Sequence, residues 1–191
     1  MPYDPELHHR RSIRLPHWDY AESGAYFVTL CTFERARLFG AVRDDQMGLN
    51  RIGEIVAEEW LRSAEIRSEV ELDDFVVMPN HLHAIVFIVR NGSDDGPAGG
   101  RPFSGTANRS LSALIQGFKA SATKRINQLR RDGGSPVWQR NYYERVLRND
   151  RELGRAREYV LDNPRKWAED KNNPDAACAV AIALPTPTRT S

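Results

Sequence analysis

Phe75-Val76-Val77-Met78-Pro79-Asn80-His81-Leu82-His83-Ala84-Ile85-Val86-Phe87-Ile88-Val89 is the stretch whose reading decides the fold. Phe75 to Met78 has the β-branched and aromatic character of a strand. Leu82 to Val89 is almost continuously apolar and reads as a second strand. Pro79-Asn80 between them signals a turn or bulge, because proline has no N–H to give to a sheet ladder. Upstream, Ala25-Tyr26-Phe27-Val28-Thr29-Leu30-Cys31-Thr32-Phe33 is another run of strand type. A loop through Asp44-Asp45 and Gly48 follows it. Asn50 then caps a helix reaching about Ser68, with Ile52, Ile55, Val56 and Trp60 as its buried stripe.

Downstream, Ser110 caps a helix whose Leu111, Leu114, Ile115, Phe118, Ala122, Ile126 and Leu129 share one face. Gly133-Gly134 breaks it. Val137-Trp138 and Tyr143 to Leu147 read as a fourth strand. Asn149 or Asp150 caps a last helix, which ends near Asn163 because Pro164 follows. The first six elements run strand, helix, strand, strand, helix, strand. That order predicts an α+β class fold: a ferredoxin-like βαββαβ antiparallel sheet with two helices on one face, plus a C-terminal helix.

The 191 residues suit one domain with short tails. Residues 1–20 read as a basic arm, 21–170 as the folded domain and 171–191 as a disordered tail of Ala/Pro/Thr character. Residues 90–108 form a Gly/Ser/Asp/Pro-rich connection. No run approaches the roughly 18 apolar residues that a membrane span needs, and the start lacks the basic-then-apolar order of a signal peptide. Cys31 and Cys178 suggest neither a disulfide framework nor a thiolate metal site. A reducing cytoplasm is the expected location.

The net charge of +1 hides a division. Residues 41–74 carry 4 basic and 10 acidic side chains, a net of −6. Residues 119–157 carry 11 basic and 4 acidic, a net of +7. Arg10, Arg11 and Arg14 add a second basic cluster in the arm. Such polarity offers a positive face to a polyanion, or else it marks two solvated helices of opposite sign.

His81 and His83 alternate along a strand, so both imidazoles leave one sheet face, roughly 6.6 Å apart along the chain. Two imidazoles so placed can share one metal ion. Equally, they can be a hydrogen-bonded pair within a core. Tyr159 and Asn163, four residues apart, share one face of the last helix. If that helix crosses the histidine face, Asn163 can give the ion a neutral oxygen and Tyr159 can point its phenol at a phosphate held there. Nitrogen and oxygen donors together suit Mn²⁺, and Mg²⁺ less ideally. Tyr142 and Tyr143 are rival nucleophiles that point to opposite faces of their strand, one to the core and the other toward a base-stacking or phosphate contact. Arg140, Arg145 and Arg148 beside them, with Lys119, Lys124 and Arg125 on the preceding helix, are candidate DNA-phosphate binders.

Three segments, Val77-Met78-Pro79-Asn80-His81-Leu82-His83, Trp138-Gln139-Arg140-Asn141-Tyr142-Tyr143-Glu144 and Tyr159-Val160-Leu161-Asp162-Asn163-Pro164, occur in this order. Together they resemble the REP-associated tyrosine transposases, of the HUH group of single-strand transposases and nucleases. The resemblance spans about Tyr26 to Trp167 and identifies residues 21–170 as the catalytic domain. It implies His81, His83 and Asn163 as ligands of Mg²⁺ or Mn²⁺, and Tyr159 as a nucleophile that forms a 5′-phosphotyrosine and frees a 3′-hydroxyl. It implies a single-stranded DNA substrate beside a hairpin of the repetitive extragenic palindrome type, with no membrane partner, and either a monomer or a homodimer. A relaxase-like nickase and a hairpin binder that does not cleave are the alternatives.

Overall fold

A computed structural model describes residues 23–89, 110–130 and 134–176. The 1–20 arm, with Arg10, Arg11 and Arg14, and the 90–108 connection lie outside the described residues. Strand β1 (Gly24–Cys31) leads through a helical turn, Phe33–Arg35, into β2 (Gly40–Arg43) and β3 (Gln46–Leu49). Helix α1 (Arg51–Ile66), strands β4 (Val70–Met78) and β5 (His81–Ile88), helix α2 (Leu111–Arg130), β6 (Tyr143–Leu147) and helix α3 (Asp150–Asp162) follow. A last helical turn spans Trp167–Glu169.

The main sheet has the strand order β4-β5-β1-β6, and each neighbouring pair is antiparallel. With two helices inserted after the first and third of these strands, this is the ferredoxin-like arrangement, α+β as expected. The capping signals act as read. Asn50 Oδ1 accepts from Gly53 N at 3.0 Å, Asn149 Oδ1 from Glu152 N at 3.0 Å, and Ser110 Oγ from Ala113 N at 3.3 Å. Two segments differ from the sequence reading. The expected loop through Asp44-Asp45 is the tight turn of the β2–β3 hairpin, with φ of 49° and 60° at the two aspartates. That is the left-handed geometry that matches the twist of paired strands. Gly40, at φ 141°, admits no side chain, since a Cβ there would lie 2.1 Å from the Gly48 carbonyl oxygen. Val137-Trp138 does not extend β6, because Trp138 makes a lone bridge to Thr32.

The period-two alternation of the strands divides the sheet between two cores. Tyr26, Val28, Leu30, Leu82, Ala84 and Val86 face α1 and α2, where Trp60 meets Phe118 edge to face at 5.0 Å between ring centroids. Leu129, expected in the α2 stripe, is exposed. Phe27, Ile85 and Leu147 face the other way, against Val160, Leu153 and Ala156 of α3. The three-layer arrangement therefore puts α3 on the sheet face that carries His81 and His83. Among the described residues, no helix is long and apolar enough to cross a membrane.

Candidate active site

Cross-strand register builds the floor of the site. Val76 of β4, His83 of β5, Thr29 of β1 and Tyr143 of β6 form one row across the sheet. Met78, His81 and Cys31 form the next. The two imidazoles meet edge to face, with ring centroids 4.4 Å apart, and both are buried.

The partners of each ring set its proton. Asn80 uses its amide nitrogen on two carbonyls, Arg35 O at 3.1 Å and Asn172 O at 2.7 Å. Its Oδ1, 2.9 Å from His81 Nδ1, therefore faces the ring, and an amide oxygen can only accept. His81 thus carries its proton on Nδ1, leaving a bare lone pair on Nε2, which is buried and has no hydrogen-bond partner. His83 Nδ1 lies 2.8 Å from Thr29 Oγ1, and its Nε2 lies 3.4 Å from the Tyr159 hydroxyl. Burial pushes His81 down to about 4, outweighing Asp170 and Asn163, which favour its charged form. Burial, and then His81 beside it, hold His83 well below the usual histidine range. Both rings are therefore neutral at physiological pH, the form in which imidazole donates to a metal.

Helix α3 crosses the histidine face, the condition that the sequence left open, and brings Tyr159 and Asn163 over this pair. The Tyr159 ring meets His83 at 5.1 Å and Phe27 at 5.7 Å between centroids, both edge to face, and 38% of the residue stays exposed. Burial and the Asp170 carboxylate raise its phenol above the ordinary tyrosine value, while Asn163 acts in the opposite direction. Asn163 is buried, and its Oδ1 has no hydrogen-bond partner.

One member of the cluster was absent from the sequence reading. Asp170 is buried and its Oδ2 stands 3.8 Å from His81 Nε2, too long for a hydrogen bond. One ligand atom from each of His81, His83 and Asp170 falls within 4.8 Å of the other two. The segment that delivers it, Trp167 to Ala176, takes in the first residues of the expected tail, where Asn172 and Asn173 are buried, while 177–191 lie outside the described residues. Arg35 donates to Lys171 O at 2.6 Å, Arg37 donates to Asn173 Oδ1 at 3.0 Å and pairs with Asp175, and Trp167 lies beside His81. Short polar residues after a helix-ending proline carry no periodic signal, so only long-range contacts reveal this strap.

The donor set fits a divalent cation. Two neutral imidazoles, a carboxylate and an amide oxygen converge, and two of their atoms are buried without partners, a costly arrangement that a metal would relieve. Asp170→Asn keeps the shape and removes the charge. It is expected to weaken Mn²⁺ binding about 10–100-fold by calorimetric titration. Unchanged affinity would leave Asn163 as the oxygen donor.

An uncharacterized protein of Haemophilus influenzae is 37% identical over 177 residues, which cover 88% of this chain and 96% of that protein. The two chains belong to one family. No family model matches. Among solved structures, a REP-associated tyrosine transposase bound to a REP hairpin superposes with a TM-score of 0.55 over 91% of this chain and 88% of its own, at 20% identity. The fold is that of the REP-associated tyrosine transposases. A Deinococcus radiodurans protein described as a candidate transposase reaches only 0.42, at 12% identity over 78% of this chain and 95% of its own. That likeness is too slight to add to the assignment.

Within this transposase fold the candidate DNA contacts separate. Arg145 lies on the histidine face of β6, beside Tyr143, and Arg140 and Arg148 are exposed in the flanking loops. Lys119, Lys124 and Arg125 belong to α2, on the opposite side of the sheet. Lys119 donates to Gln139 O at 2.8 Å and Asn141 O at 3.1 Å, and burial lowers it to about 8. Arg125 pairs with Glu58 and Glu59 of α1. The charge division in the sequence is thus partly spent joining α1 to α2, and Lys124 alone of these three is exposed. Tyr142 packs on the α1/α2 core, with its hydroxyl 3.2 Å from Ser112 Oγ, whereas Tyr143 faces the site. Arg155, one helical turn before Tyr159, enters the same cleft and was not singled out from the sequence.

Proposed function

We propose that this protein cuts and rejoins single-stranded DNA beside hairpins of the REP type, through a covalent bond between Tyr159 and a 5′-phosphate. One observation carries the reading. The phenol of Tyr159 lies 3.4 Å from His83 Nε2, at the open side of a buried cluster whose His81 Nε2 and Asn163 Oδ1 lack partners. The fold shared with a transposase bound to a REP hairpin supports the choice of substrate.

His81, His83 and Asp170, with Asn163, would hold the divalent ion. When bound, it supplies positive charge that polarises a phosphodiester and stabilises a phenolate. If His83 holds the ion through Nε2, that lone pair is engaged and cannot also take the phenol proton. Tyr159 Oη attacks phosphorus and the P–O3′ bond breaks. The departing 3′-oxygen finishes with a proton and the phenol has lost one. The phosphotyrosine conserves the ester, so attack by another 3′-hydroxyl restores a continuous strand and the free phenol. Phe27, edge-on to the ring of Tyr159, limits its rotation and holds Oη toward the cluster.

The test is a labelled single-stranded hairpin oligonucleotide incubated with the protein and Mn²⁺ or Mg²⁺. A protein–DNA adduct is expected that EDTA prevents and excess Mn²⁺ restores. Hairpin binding without cleavage under any of these conditions would point to a non-cleaving binder. Cleavage without a covalent species would point to a water nucleophile, and cleavage that persists in EDTA would remove the metal.

A further inference from the structure

Between β6 and α3 lies a cleft of about 380 Å³ that reaches His83 and Tyr159 at one end and extends past the residues used by the reaction above to Tyr143, Arg145, Leu147 and Arg155. Its volume falls within the range of small-ligand sites, and its chemistry is of two kinds. The floor is aromatic and apolar, formed by Phe27, Tyr143 and Leu147. The rim is net cationic, with Arg145, Arg155 and Lys171 against the single carboxylate of Glu152. We infer that this cleft is a subsite for one unpaired nucleotide of the DNA strand, next to the phosphate that Tyr159 attacks.

Flat apolar surface under a cationic rim is the complement of a nucleotide, which joins a π-face to a phosphate. Tyr143 sits in the row Val76-His83-Thr29-Tyr143, two strands from His83, or roughly 10 Å away. That separation from His83 is within the reach of the strand nucleotides next to a phosphate held at the cluster. The residue is 41% exposed, with Phe27 edge-on to its ring at 6.5 Å and Lys171 over the ring at 5.7 Å. An exposed tyrosine held by neighbours on a strand is a preformed stacking platform, and it loses little freedom on binding.

The rim cations differ in availability. Arg145 is shared with Glu152 at 3.7 Å, while no ion pair engages Arg155 among the described residues. Arg155 is one turn from Tyr159 on the same helix face, so a phosphate that it holds is carried with the nucleophile. The assignment rests on the DNA reading of the site, and it names which part of the strand enters and which side chains receive it.

The test reads binding rather than cleavage, with the full chain bearing Tyr159→Phe. Fluorescence anisotropy measures its affinity for a hairpin oligonucleotide with single-stranded flanks, in which each flanking nucleotide in turn is made abasic. One position is expected to lose affinity about tenfold, the size of one lost base–aromatic stack. Adding Tyr143→Ala should erase that position's effect and leave the others, and Tyr143→Phe should restore it. Arg155→Ala should weaken all the oligonucleotides alike, because phosphate contacts ignore the base. A flat abasic profile, a profile unchanged by Tyr143→Ala, or no binding would overturn the inference. The adduct assay with Tyr159 intact reads the parent proposal separately. An adduct with a flat profile removes the cleft and keeps the nucleophile, whereas the expected profile without an adduct does the reverse.

Discussion

Tyr159→Phe is expected to lower covalent adduct formation by on the order of 10³-fold or more, the scale seen when a nucleophile is removed. The substitution takes away one oxygen. The ring keeps its edge contacts with His83 and Phe27, so the folded chain, its hairpin affinity and its metal affinity should change little. Tyr142→Phe and Tyr143→Phe test the rivals and should leave the adduct intact. The Tyr142 hydroxyl is spent against Ser112 on the far side of the sheet. Tyr143 lies on the correct face but two strands from His83. Gel-resolved adduct formation with a labelled hairpin oligonucleotide measures all three. An adduct that survives without Tyr159 would sink the assignment.

His83→Ala should have the second largest effect, with two separable parts. The first is metal linkage. An ion that binds only the folded chain stabilises it by about 2.7 kcal/mol at a concentration one hundred times its Kd. For a chain of this size that raises Tm by roughly 5–10 °C. The wild type should show this rise with Mn²⁺ and the variant should not, because one of two buried imidazole donors is gone. The second part needs no metal. Thr29 Oγ1 loses its 2.8 Å partner, and Phe27, 5.3 Å from the His83 ring centroid, loses a stacked neighbour. The metal-free variant should therefore be less stable by roughly 1–3 kcal/mol, measured by denaturant titration. Equal Mn²⁺-induced shifts in both proteins would exclude His83 as a ligand.

The sequence carries much of this site because its signals are local. Alternation placed His81 and His83 on one sheet face, and the i, i+4 spacing placed Tyr159 and Asn163 on one helix face. Which face α3 crosses was left open by the sequence, and it is set by the packing of Val160, Leu153 and Ala156 on Phe27, Ile85 and Leu147. The hairpin at Asp44-Asp45 was hidden because its strands are short and poor in β-branched residues, and neither turn residue is glycine. Asp170 was hidden for a different reason. It stands in an irregular segment, Trp167 to Ala176, whose position is fixed by Arg35, Arg37 and Asn80, all distant from it in sequence. The basic helix misled in part, since a run of cations does not record which of them face carboxylates. Arg125 meets Glu58 and Glu59, and Lys119 meets two backbone carbonyls.

The most direct measurement is peptide mapping by mass spectrometry of the trapped protein–DNA adduct, after nuclease digestion of the DNA. The account predicts a nucleotide attached through its 5′-phosphate to the peptide bearing Tyr159, and to no other tyrosine. A phosphate on Tyr142 or Tyr143, or a linkage through a 3′-phosphate, would contradict it.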